Sequence, residues 1–162
     1  MLTRKVKRLL SLTAVATPLL FTACSDNPFN PINDASGTYQ LTVYAGRSIP
    51  ATYTIQPNDP NYGGVMPNGG TLRVTGGNLV LSNNGTFIET NNYVLTPSGQ
   101  ASFNQDFTRS GTWTVSGTNL SLFVPAQNGN SASNISGTLD VDTVTYQEDN
   151  GNGGFDSFEY KR

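Results

Sequence analysis

Apolar and polar residues alternate along most of the chain beyond position 36, at the period of two that a half-buried β-strand requires. The clearest run is 103–115, where the odd positions read Phe, Gln, Phe, Arg, Gly, Trp and Val and the even positions are Asn, Asp, Thr and Ser. No sustained helical period is present, so the pattern predicts an all-β chain of about 8–10 short strands without significant helix. The shorter runs, separated by glycine-rich corners, occupy 37–44, 51–56, 71–74, 78–81, 86–96, 120–124, 135–140, 141–148 and 155–160.

Successive runs are joined by turns, and that meander is typical of an antiparallel up-and-down β-barrel. We therefore predict one barrel domain over 37–162, with a Greek-key sandwich as the alternative that the same strands could build. Residues 86–96 have apolar side chains on both parities, which predicts a bend or bulge near Asn91 and Asn92. The irregular stretch 57–70 is long enough to suggest a functional loop.

The first 23 residues have the order of a secretory leader, with four basic residues, an apolar run over 9–21, and small residues just ahead of Cys24. The run is about a dozen residues, too short for the roughly 20 that span a bilayer as a helix. Cys24 is the only cysteine, so it has no disulfide partner within the chain. We predict a signal peptide over 1–23, and an ordinary secretory signal with an incidental cysteine is one interpretation of it.

The stretch 19–24, which reads Leu-Leu-Phe-Thr-Ala-Cys, resembles the lipobox of bacterial lipoproteins. The resemblance implies that the Cys24 thiol receives a diacylglycerol, that the chain is cut ahead of it, and that the new amino terminus takes a fatty acid such as palmitate. Two or three acyl chains, at about 0.8 kcal/mol per buried methylene, would hold the protein on a membrane permanently. Ser25 rather than Asp follows the cysteine, and under the enterobacterial sorting rule this favours the outer over the inner membrane.

Residues 24–36 have neither hydrophobic period and contain two prolines, so we predict a lipidated cysteine followed by a flexible tether. Without residues 1–23 the chain keeps five basic and eleven acidic residues, a formal charge of −6. An acidic chain gains no counterion release from nucleic acid, which argues against that class of partner. The predicted membrane contact is therefore the lipid anchor at Cys24 alone.

The residue inventory excludes several catalytic chemistries. The chain has no histidine, so histidine-dependent triads and the usual histidine zinc sites cannot form, and no metal or other cofactor is predicted. Asp140 and Asp142 would share a strand face, either as paired carboxylates or as surface acids, and we favour surface acids. Residues 149–156 have oxygens that could hold calcium, but they lack the glutamate of an EF-hand loop, and we favour a plain turn.

Polar side chains interrupt the apolar parity of the run 103–115 and mark a candidate ligand site. An inward Arg109 would need an acceptor, which a ligand carboxylate or an inward Glu89 could supply. We rank first the alternative that a bulge at 110–111 flips the phase and places Arg109 outside. If the phase is kept, the residues on the candidate face are Phe103, Gln105, Phe107, Arg109 and Trp113.

Three short motifs are similar to the small lipocalin-like domains of bacterial lipoproteins: Gly-Thr-Tyr at 37–39, Gly-Thr-Trp at 111–113, and the aromatic and basic ending 158–162. The resemblance covers roughly 36–162. It implies a barrel that binds a small apolar or amphiphilic ligand and is not an enzyme, with Trp113 lining or flooring the cavity. The alternative is a structural or interaction module of the envelope whose barrel is filled by its own side chains.

Overall fold

The computed structural model describes residues 35–127, 131–151 and 153–162. The predicted signal peptide, Cys24 and all but the last two residues of the predicted tether lie outside the described residues. The prediction of an all-β chain is confirmed. The strands are β1 Gly37–Tyr44, β2 Arg47–Ser48, β3 Ala51–Ile55, β4 Gly70–Leu81, β5 Thr86–Pro97, β6 Phe103–Ser116, β7 Asn119–Val124, β8 Ser133–Asp140, β9 Thr143–Asp149 and β10 Phe155–Lys161.

All ten strands belong to one antiparallel sheet, in the order β2-β1-β10-β9-β8-β7-β6-β5-β4-β3. The sheet closes because residues 37–40 of β1 also pair with residues 78–81 of β4. Eight strands, β1 and β4 to β10, therefore form a closed up-and-down barrel as predicted, and the sandwich alternative is wrong. Strands β2 and β3 pair with the halves of β1 and β4 that diverge from each other.

Strand β4 is a single long strand where the sequence predicted two short ones, and it holds the irregularity that we predicted in β5. The odd positions of β5 are buried or half-buried throughout, and Ile88 on the other parity is 50% exposed. The register shifts instead in β4, between Val74 and Gly76. The extra residue, Thr75, donates its hydroxyl to the carbonyl of Asn92 at 3.1 Å. A bulge in the partner strand thus lets β5 keep one inward face.

One end of the barrel, which we call the closed end, has short turns and a filled interior. Arg162 covers it, because its guanidinium lies 5.2 Å from the centre of the Tyr39 ring and donates to the carbonyl of Ser36 at 3.0 Å. Such a cation over an aromatic face adds about 0.5–1 kcal/mol when exposed. The fully or almost fully buried side chains that fill this end are Tyr39, Leu79, Leu81, Phe87, Trp113, Leu120 and Leu122.

The opposite end, which we call the mouth, has the longer connections 56–69 and 98–102. Since β1 and β4 separate toward this end, the barrel widens there, and the loop 56–69 joins the paired strands β3 and β4. Gly70 begins β4 with its Cα close to the carbonyl of Thr96, and a Cβ there would lie only 2.3 Å from that oxygen. Because β1 and β4 separate at the mouth, this end of the barrel has room for a cavity.

The two acidic features that the sequence singled out lie in turns. Asp140 and Asp142 are exposed, and Asp142 accepts from Arg162 at 3.2 Å, so they are surface acids as we favoured. After β9, the Asp149 side chain accepts from the backbone N–H of Gly151 at 2.8 Å. That contact is typical of an Asx turn, in agreement with the plain-turn alternative. Within the part of the chain that is described, no helix has the length and apolarity of a membrane span.

Candidate ligand-binding mouth and its polar floor

Strand β6 runs through the barrel wall without a break and places Arg109 inside. Its pairing with β5 keeps one register from Thr112 opposite Thr86 to Phe103 opposite Leu95. The Arg109 side chain is only 9% exposed. The alternative of a bulge at 110–111 is therefore wrong, and the parity seen in the sequence continues to the end of the strand.

The acceptor for the Arg109 guanidinium is a carboxylate of the protein itself. Glu89 stands directly opposite Arg109 in the β5–β6 register; its Oε2 accepts from Nε at 2.8 Å and forms an ion pair with Nη2, also at 2.8 Å. Nη1 donates to Glu148 at 2.5 Å, and Nη2 donates to the Tyr146 hydroxyl at 3.0 Å. One guanidinium thus faces two carboxylates, which leaves it no excess positive charge for a ligand.

Glu89 is the centre of this group and has no solvent exposure. Its Oε1 accepts from the Asn91 amide, the Tyr146 hydroxyl and the Tyr160 hydroxyl, each at 2.7 Å. Among the described residues, no buried side-chain nitrogen or oxygen lacks a hydrogen-bond partner. A buried charge is tolerated only when it is paired and hydrogen-bonded in this way. We call the set Glu89, Asn91, Arg109, Tyr146, Glu148 and Tyr160 the polar layer.

Arg109, Tyr146 and Tyr160 of the polar layer all have raised pKa values. Burial, reinforced by the negative charge of Glu89, raises the pKa of Tyr146 and of Tyr160 well above the usual value of a phenol. Burial would lower the pKa of Arg109, but the neighbouring charge of Glu89 outweighs it and the pKa is raised. At neutral pH the guanidinium of the layer is therefore charged, and the two tyrosines are neutral phenols that donate to Glu89.

Above the polar layer lies a cavity of about 370 Å³ at the mouth. Its aromatic walls are Tyr44, Tyr62, Tyr93, Phe107 and Phe158, and its aliphatic walls are Val65, Leu72 and Leu95. Phe107 is 48% exposed and Val65 is 43% exposed, so apolar surface faces the opening. Loop 56–69 supplies Tyr62 and Val65, which gives the long irregular stretch a place in the site.

The aromatic walls are held by one another and by the polar layer. The Tyr44 ring makes edge-to-face contacts with Tyr93 at 6.3 Å and with Phe158 at 5.1 Å between centroids. Phe158 in turn stacks on Tyr146 of the polar layer at 4.7 Å. The Tyr44 hydroxyl donates to Asp156 at 2.9 Å. Aromatic pairs of this kind add about 0.5–1.5 kcal/mol each, so the walls are set before any ligand arrives.

The structure separates the five residues of the predicted candidate face. Gln105 and Phe107 line the mouth cavity, and Arg109 lies below it in the polar layer. Phe103 is 40% exposed and is not among the lining residues. Trp113 is 2% exposed at the closed end, where its Nε1 donates to the carbonyl of Ser82 at 3.0 Å. The cavity thus meets the polar layer at Glu148, which lines it, and does not reach the indole.

Sequence reasoning missed most of the aromatic walls and most partners of Glu89. A signal for Tyr146 and Tyr160 was present, because each shares its strand parity with a buried apolar residue, Val144 or Phe158. Asn91 also shares its parity with Phe87 and Leu95, but asparagine is usually a surface residue, so it was taken for a bulge.

No family model, no curated protein and no solved structure matches the chain. The class to which the chain belongs is therefore defined by its fold, a small closed antiparallel β-barrel. The barrel has a filled closed end, a polar layer across its interior, and a cavity at its mouth.

Proposed function

We propose that this barrel is a lipid-anchored protein of the cell envelope, of lipocalin-like type, whose mouth binds a small apolar or amphiphilic ligand. The observation that carries the proposal is the mouth cavity of about 370 Å³ with its aromatic and aliphatic walls. Ligand sites are commonly concave, mostly apolar and roughly 300–1,000 Å³ in volume, so the cavity suits a ligand of modest size. The proposed role is binding and not catalysis.

The position of the cavity supports the same role. Ligand sites are common in the mouths of β-barrels, and here the opposite end is packed with Tyr39, Phe87 and Trp113. The polar layer limits the depth to which an apolar body can enter. A ligand would therefore lie across the mouth, against Phe107 and Val65, and cover their exposed apolar surface.

Phe107→Ala should weaken the binding of 2-phenylethanol, a neutral aromatic amphiphile, by about tenfold. The reason is the loss of an aromatic wall worth about 0.5–1.5 kcal/mol beyond its buried area. Phe103→Ala is the matched control, because Phe103 has the same strand, parity and chemistry but lies off the cavity. Titration calorimetry and saturation-transfer NMR would measure the dissociation constants.

The two Phe variants also test the alternative function. The filled closed end favours an envelope module with a structural or interaction role, since small eight-stranded barrels are commonly filled by their own side chains. If 2-phenylethanol and a wider panel of apolar amphiphiles all fail to bind the parent protein, the ligand-binding proposal is wrong and the structural role stands. Equal loss of binding in Phe103→Ala and Phe107→Ala would place the site elsewhere.

The anchor is proposed from the lipobox resemblance at 19–24, with the outer membrane as its destination. Labelling cells with a radioactive fatty acid should mark the wild-type protein and leave Cys24→Ala unmarked, because the thiol is the acceptor of the diacylglycerol. The variant should also leave the membrane fraction, since it lacks the two or three acyl chains that hold the protein on the membrane. Ser25→Ala is the control and should keep its label. Equal labelling of wild type and Cys24→Ala would contradict the anchor.

A further inference from the structure

The lining of the mouth cavity is acidic. Glu148, Asp149 and Asp156 are among its lining residues, and no lysine or arginine is. Arg109 lies directly beneath, but it pairs with the fully buried Glu89 as well as with Glu148. The cavity together with its floor therefore has more carboxylates than guanidinium groups.

The other cations of the described residues lie away from the cavity. Lys161 pairs with Glu159 at 2.9 Å, and Arg162 pairs with Asp142 at the closed end. Arg73 is exposed on β4, and Arg47 is exposed on β2, with its guanidinium 5.2 Å from the centre of the Tyr53 ring. None of these four is a lining residue of the cavity, so among the described residues Arg109, paired with Glu148, is the one cation beside the acidic lining.

The aromatic walls of the cavity, like its carboxylates, attract positive charge. Five aromatic residues line it, and the face of an aromatic ring has a negative quadrupole that attracts a cation within about 6 Å of its centre, as the Arg109 guanidinium lies 5.9 Å from the centre of the Phe107 ring. Tyr44 connects the aromatic rings with a carboxylate, because it contacts Tyr93 and Phe158 and donates its hydroxyl to Asp156. One carboxylate oxygen is thus held beside a cluster of ring faces.

From this combination of rings and carboxylates, we infer that the mouth selects a cationic amphiphile, an ammonium group on a small apolar or aromatic body. This inference rests on the proposed function, since it names the class of ligand for the same cavity. The ammonium group would lie near Asp156 and the rings of Tyr44 and Phe158, and the body would cover Phe107 and Val65. An anionic ligand would meet three carboxylates and is selected against.

Three soluble probes with one phenyl body separate charge from shape. These are 2-phenylethylammonium, neutral 2-phenylethanol and anionic 3-phenylpropanoate, titrated against the purified full-length chain at low and at moderate salt. The cation should bind about tenfold more tightly than the alcohol, as cation–π attraction and carboxylate charge together allow, and the anion should bind most weakly. Added salt should reduce this preference, because the mouth is open to solvent.

Asp156→Asn should reduce the preference for the cation by about fivefold, the worth of one charge contact at about 4 Å in water. The amide oxygen can still accept from Tyr44, so the walls are kept. Asp106→Asn is the control with the same charge change, because Asp106 accepts from Asn92 at an exposed position and does not line the cavity. If Asp156→Asn does not fold, Asp149→Asn takes its place in the same comparison.

The outcomes distinguish this inference from the proposed function on which it rests. Binding of the alcohol as tight as that of the ammonium, or an equal effect of Asp156→Asn and Asp106→Asn, overturns the selection of cations and leaves a ligand-binding mouth. Failure of all three probes to bind overturns both. Both are established if the cation binds tightly, Asp156→Asn weakens that binding and Asp106→Asn leaves it unchanged.

Discussion

Replacing Glu89 with Gln is expected to lower the free energy of unfolding by about 3–5 kcal/mol, the usual cost of breaking a buried ion pair from one side. Glu89 has no exposure, and its two oxygens accept from Asn91, Arg109, Tyr146 and Tyr160. The amide would present an N–H₂ group to some of these donors and leave Arg109 with Glu148 alone. Urea unfolding followed by the emission of the buried Trp113 would measure the loss.

Two further variants show whether the loss comes from the unpaired charge. Asp106→Asn removes a carboxylate at an exposed position and should change the free energy of unfolding by less than about 0.5 kcal/mol. Replacing Glu89 and Arg109 together by Leu and Met should recover part of the stability, because no unpaired charge remains although Asn91, Tyr146 and Tyr160 lose their shared acceptor. A loss below about 1 kcal/mol in Glu89→Gln would mean that the polar layer does not hold the barrel together.

Gly111→Ala should destabilise the barrel by about 3 kcal/mol or more, since it overpacks a rigid part of the wall. A Cβ at this position would lie 1.9 Å from the carbonyl oxygen of Phe123 and 2.9 Å from a ring carbon of Phe87. The first contact is to the backbone of the neighbouring strand β7, which cannot turn aside as a flexible side chain would. We expect a matching fall in the midpoint of urea unfolding.

Gly76→Ala is the matched control within the same barrel. Its Cβ would meet only the Asn92 side-chain oxygen, at the ordinary contact distance of 3.8 Å, and its φ angle is not in the left-handed region. Because alanine restricts the unfolded chain more than glycine does, this variant should be neutral or more stable by about 0.4–1 kcal/mol. Equal destabilisation by both variants would show that chain flexibility, not the approach of β7 to Gly111, sets the need for glycine.

The fold could be predicted from the sequence to a large extent, because alternation with a period of two is a local property of each strand. The run 103–115 shows this well, since its parity is kept along the strand and Trp113 is buried; Arg109 is buried too, whereas the bulge that we ranked first had placed it outside. The predictions were wrong where a feature depends on the interaction of two strands. The bulge lies in β4 and not near Asn91, because a bulge depends on the register between strands, which neither strand specifies alone.

The candidate site could be predicted only in part. Gln105 and Phe107 line the mouth as one face of β6, but Phe103 and Trp113 of the same face do not, because a strand crosses the whole height of the barrel. Parity tells which side of the wall a residue faces, and not at what depth it lies. The walls at Tyr44 and Tyr93 come from other strands, and Tyr62 comes from a loop that has no periodic pattern.

Composition and alternation are properties of residues and their neighbours in the chain, so the strands, their inward faces, the acidic balance and the lack of histidine can be read from the sequence. What those inward faces meet depends on how the strands come together in the barrel. Glu89 lies 20 residues from Arg109, 57 from Tyr146 and 71 from Tyr160. Closure of the barrel brings these groups together, and a buried charge must find its partners there since water is excluded.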